Sequence, residues 1–98
     1  MRPMPYLTVG ALREKIIQDG FPSFSRPTFY RMEKDGVFKN INYHRTSGNH
    51  RSFSKQATID VLVTIWSDFY GKDGGEQYRQ RLEKELAEGK FFPHVKEY

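Results

Sequence analysis

With 98 residues, 37% of them hydrophobic and 29% charged, the chain is long enough for one modest core and too apolar for a disordered segment. It holds no cysteine, which excludes disulfides and thiolate metal sites. The net charge is +4, and it is uneven: residues 1–55 carry ten Lys/Arg against four Asp/Glu, residues 56–98 six against eight. Positive charge gathered in one half points to a polyanion-facing surface there.

In chain order, Thr8 is placed to cap a first helix. Val9, Leu12, Ile16 and Ile17 recur at helical spacing, and Asp19-Gly20 supplies the stop. Phe21-Pro22-Ser23-Phe24 reads as a turn whose two rings fold back on the core. Ser25 is a natural N-cap, and Pro27 sits in the first turn, where its missing N–H matters least. The second helix is expected over Pro27–Lys34 with Gly36 as its C-cap. Phe29 and Met32 face inward, leaving Arg26, Thr28, Tyr30, Arg31 and Lys34 for other faces.

After Val37-Phe38, the runs Ile41–Arg45 and His50–Phe53 flank Thr46-Ser47-Gly48-Asn49 and predict a β-hairpin. Its tip carries Arg45 and Arg51, small polar residues and no acid. Ser54 caps a third helix through Thr58, Ile59, Leu62, Val63, Trp66 and Phe69. Gly71-Lys72-Asp73-Gly74-Gly75 reads as a flexible break. A last helix is expected over Glu76–Glu88, with Tyr78, Leu82 and Leu86 as its few apolar residues and Gly89 as its end. Phe91-Phe92-Pro93 is apolar enough to dock on this molecule or on a partner.

The order helix, turn, helix, hairpin, helix suits duplex DNA, since a helix fits the major groove and its exposed residues read base edges. Ser25-Arg26-Pro27-Thr28-Phe29-Tyr30-Arg31-Met32, followed by Gly36, resembles the excisionase-type helix-turn-helix. Arg45-Thr46-Ser47-Gly48-Asn49-His50-Arg51-Ser52-Phe53-Ser54 is similar to the wing of the mercury-resistance-regulator (MerR) superfamily. Tyr6-Leu7-Thr8-Val9-Gly10-Ala11-Leu12 is similar to the first helix of both. The resemblance covers about residues 6–66. It departs at Asn49, where a second Gly is usual, at Phe53, where Tyr is usual, and in a longer turn over residues 17–24. The long dimerisation helix of the family is not evident.

The fold expected is therefore mainly α with a small β-hairpin: a MerR/excisionase-like winged helix-turn-helix over residues 1–71, then a C-terminal helix and tail over 72–98 for packing or oligomerisation. The resemblance implies recognition-helix contacts from Arg26, Thr28, Tyr30 and Arg31 and wing contacts from Arg45, His50 and Arg51. Donor chemistry adds Ser25, Lys34, Thr46, Ser47 and Asn49 as DNA-binding candidates. Plainer readings stand beside these: Arg31 pairing with Asp35, a half-buried Tyr30, and core roles for Phe29, Met32, Phe38, Phe53, Leu62 and Trp66.

Sequence-specific binding of double-stranded DNA is the expected function. A transcriptional regulator, an excisionase, and an accessory protein for plasmid transfer or partition all fit. A protein–protein adaptor with a degenerate helix-turn-helix is the alternative from another class. Residues Glu76–Tyr98, with Phe91 and Phe92 as anchors, suit a second copy or a protein partner. No nucleophilic cysteine, phosphate loop or metal helix points to an enzyme. No cofactor is expected, and His44 and His50 lack the further ligands a metal needs. No run approaches the roughly 20 apolar residues of a membrane span. Met1-Arg2-Pro3-Met4-Pro5 lacks a signal-peptide core, so a cytoplasmic location is expected.

Overall fold

A computed structural model describes residues 8–45 and 51–90. Tyr6-Leu7, the hairpin tip with Thr46, Ser47, Gly48, Asn49 and His50, and the segment with Phe91, Phe92, Pro93 and His94 lie outside the described residues. The protein is mainly helical, with four helices and a small two-stranded antiparallel sheet among the described residues.

Three helices begin on a hydroxyl. Thr8 caps α1 (Val9–Gln18) by accepting from the Ala11 amide at 3.2 Å. Ser25 caps α2 (Arg26–Lys34) through the Thr28 amide at 3.3 Å. Ser54 caps α3 (Lys55–Tyr70) through the Ala57 amide at 3.1 Å. Each cap satisfies an amide that the first turn leaves without an intrahelical partner. In α2 the expected start moves back one residue to Arg26, and Asp35 rather than Gly36 is the C-cap.

Among the described residues the paired strands are shorter than the expected runs. Strands β1 (His44–Arg45) and β2 (Arg51–Ser52) pair antiparallel, with His44 opposite Ser52 and Arg45 opposite Arg51. Upstream, the Lys39 amide bonds the Gly36 carbonyl and the Ile41 amide bonds the Phe38 carbonyl. These local turns occupy backbone that a longer ladder would need, and they set Phe38 into the core.

The flexible break expected at Gly71–Gly75 is not one. Helix α4 spans Lys72–Ala87, and Gly71 alone, at φ +94°, turns the chain from α3 into it. Gly74 and Gly75 are helical residues of its first turn, although glycine costs up to about 1 kcal/mol relative to alanine in a helix. Close packing explains Gly75: a Cβ there would lie 1.7 Å from Ser67 Oγ and 2.9 Å from Ser67 Cβ. The missing side chain lets α3 and α4 run back along each other. Gly75→Ala is expected to destabilise by about 1–3 kcal/mol, because overpacking outweighs the propensity gained. Thermal unfolding checks this, and Ser67→Gly in the same chain should restore part of the loss.

One core joins all four helices and the hairpin. Leu12 and Ile16 of α1, Phe29 of α2, Phe38 in the turn after it, Phe53 after β2, Ile59 and Leu62 of α3, and Leu82 of α4 are at most 2% exposed. The turn rings Phe21 and Phe24 are buried as expected. Met32 and Trp66 sit at the core edge, half-buried, with the Trp66 indole stacked on Tyr78 at 4.1 Å. Tyr78 and Leu82 thus belong to the same core as the helices before them. No helix among the described residues is long and apolar enough to cross a membrane.

Candidate nucleic-acid interface

Helix α2 divides its residues by angular position. At 100° per residue, Phe29 and Met32 point into the core and Pro27, Arg31 and Lys34 form the opposite stripe. Phe29 is fully buried, whereas Pro27, Arg31 and Lys34 are exposed. Arg26, Tyr30 and Glu33 lie on one flank, Thr28 and Asp35 on the other. No acid occupies the first turn, while Arg31 and Lys34 occupy the last. Among the described residues Arg31 forms no ion pair with Asp35, so its guanidinium is presented outward.

The candidates at the start of α2 are partly committed to local structure. The Ser25 and Thr28 hydroxyls bond each other at 2.9 Å, and Ser25 also caps the helix. Arg26 is exposed and lies across the start of α1, where a Cβ on Gly10 would come within 3.0 Å of its Nη2. Gly10, Arg13, Glu14, Arg26 and Pro27 line the cleft between the two helix starts.

The Glu33 flank of α2 meets the hairpin. Arg51 forms a fork on Glu33, with Nε to Oε2 at 2.9 Å and Nη2 to Oε1 at 3.0 Å. The Tyr43 hydroxyl donates to Glu33 Oε2 at 2.5 Å. Arg45 Nη2 approaches the same oxygen at 3.2 Å. Arg51 and Glu33 side chains are 11% and 9% exposed, but that of Arg45 is 61% exposed. Arg51, expected among the outward wing contacts, is therefore turned onto α2. Its guanidinium also lies 5.5 Å from the centre of the half-buried Tyr30 ring, a cation–π contact.

Electrostatics follow from this crowding. Burial pushes the Glu33 carboxyl up, but the hydrogen bonds from Arg51 and Tyr43, with the charges of Arg51 and Arg45, outweigh it. Its pKa lies below the ordinary glutamate value. Burial, and then the bond donated to Glu33, push the Tyr43 hydroxyl up to about 12. Glu33 is thus an anion at neutral pH and Tyr43 its neutral donor.

Glu33 and Tyr43 were not among the expected site residues. An acid beside a basic stripe reads as a solvated charge, and only the folded hairpin brings Arg51 to it. His44 is exposed in β1; Thr46, Ser47, Asn49 and His50 fall outside the described residues. Among the described residues no group of three or more His, Asp or Glu side chains is arranged to hold a metal ion. Comparison with protein-family models, curated proteins and solved structures finds no match for this chain.

Proposed function

We propose that the chain binds double-stranded DNA sequence-specifically as a winged helix-turn-helix of the MerR/excisionase kind. Helix α2 enters the major groove, and the hairpin rests on the backbone or in the minor groove. The observation that carries this reading is the outward Arg31–Lys34 stripe of α2 beside a hairpin anchored to the same helix. A major groove about 12 Å wide admits such a helix. Arg31 and Lys34 supply donors for base edges and phosphates, and the exposed Arg26 and Arg45 add to the cationic surface.

The role is binding without catalysis, as a transcriptional regulator or as an accessory factor marking a site for another enzyme. One helix and one hairpin read a short stretch, so useful specificity calls for repeated half-sites or a second copy. The test is selection of sites from random duplexes, followed by salt titration. Enrichment of one sequence, with affinity falling as salt rises, is expected. Arg31→Ala should then weaken binding by about 1–3 kcal/mol and relax specificity at one base pair. No enriched site together with salt-insensitive affinity would overturn the reading.

A second reading, a protein–protein adaptor, is favoured by one observation. Phe69 is 60% exposed and Tyr70 46% exposed at the end of α3. Exposed aromatics of this size suit a protein partner or a second copy. The adaptor reading expects no salt-sensitive duplex binding, so the same titration separates the two.

A further inference from the structure

We propose that Glu33 and Arg51 are a positioning pair that fixes the hairpin on α2, and that Arg45 is the exchangeable cation, which leaves Glu33 for a DNA phosphate. The proposal rests on the DNA-binding reading above and divides work between two arginines that look alike in sequence.

The register makes the two arginines neighbours. Arg45 and Arg51 are directly opposed across the hairpin, so their side chains leave the same face. Like charges so placed repel, and Glu33 lies between them as the shared anion. One carboxylate cannot neutralise two guanidinium groups, so the cluster keeps a net positive charge.

The geometry ranks the two partners. Arg51 makes two bonds, at 2.9 and 3.0 Å, one to each Glu33 oxygen. It is nearly buried, and removing it would take away the donor to Oε1 and leave the nearly buried carboxylate with Tyr43 and the exposed Arg45 on Oε2. Arg45 makes one contact with Glu33, at 3.2 Å, to an oxygen already accepting from Arg51 and Tyr43, and its other partner in the cluster is the Tyr43 hydroxyl. With 61% of its side chain in solvent, that contact contributes little and is readily exchanged. A phosphate approaching the hairpin offers Arg45 a free anion, while Arg51 gains nothing by leaving its fork.

Equilibrium binding of the full chain to its selected duplex, from 50 to 200 mM salt, separates the roles. Arg45→Ala should lower the slope of log affinity against log salt by about 0.9, the loss of one phosphate contact. Arg51→Lys keeps the charge but loses the fork. It should weaken binding roughly 2- to 30-fold with the slope unchanged. Glu33→Gln removes a negative charge, which by simple electrostatics would tighten binding; a positioning role requires it to weaken binding at every salt concentration.

Wild-type affinity in R51K, tighter binding in E33Q, or a slope loss in Arg51→Ala equal to that of R45A would each overturn the proposal. The pair is also read without DNA. In a cycle of E33Q, R51K and the double variant, the losses of thermal stability should be non-additive. Additive losses overturn the pair whether or not DNA is bound. A wild-type chain that fails to bind duplex overturns the DNA reading itself.

Discussion

Phe29→Ala is expected to destabilise the protein by about 3–5 kcal/mol, the range for removing a fully buried ring. Phe29 is 0% exposed. Its ring stacks on Phe38 at 5.0 Å and meets Phe53 edge-on at 5.9 Å. Three separate pieces of chain converge there: α2, the turn after it and the residue following β2. A hole at their meeting point cannot close by moving one side chain, because each wall is itself a ring fixed by its neighbours. A domain of this size is stable by about 5–15 kcal/mol, so much of the total is at stake. Urea unfolding checks it, with a lower midpoint and an unchanged slope. A loss under about 1 kcal/mol would mean that the walls do collapse, against the geometry described.

The second large effect lies at the seam between α1 and α4. Asp19→Ala is expected to lose about 3 kcal/mol. The Asp19 side chain is 3% exposed and accepts from Lys15 at 3.2 Å, from the Tyr78 hydroxyl at 2.7 Å and from Arg81 at 3.0 Å. Its removal leaves the buried Tyr78 hydroxyl without an acceptor, at about 1–3 kcal/mol. Lys15 loses Asp19 but keeps Glu85 at 2.6 Å, which places the effect at the low end for broken buried pairs. Asp19→Asn keeps an acceptor for Tyr78 and should lose less. Denaturant midpoints of the two variants measure the difference. A D19A loss no larger than that of exposed Asp68→Ala, within about 0.5 kcal/mol, would show that the seam contributes nothing.

Local chemistry was legible wherever the information was local. Thr8, Ser25 and Ser54 start their helices because a hydroxyl cap needs only the amide three residues on. The inward placement of Phe29 follows from spacing alone. What escaped was set by contacts distant in sequence. Gly74-Gly75 reads as a break by propensity, yet both are helical, with Gly75 close against Ser67 and Gly74 against Tyr70 and Trp66. Lys15 looks like a surface lysine, but it is buried because Glu85, 70 residues on, covers it. At the candidate interface the exposed stripe of α2 was readable from its period. The capture of Arg51 by Glu33 was not, since it needs the hairpin register and the α2 flank together.

The seam also bears on modularity. In the sequence alone, a boundary at Gly71 looks natural. A fragment cut there would be no smaller edition of the protein. It would lose Tyr78 and Leu82 from the core and bare the face of α3 that α4 covers. It would also leave Asp19 and Lys15 without the Tyr78, Arg81 and Glu85 groups that hold them. The portable unit, for fusion, swapping or division of the chain, includes α4, and its joints belong outside the span from Thr8 to Lys90.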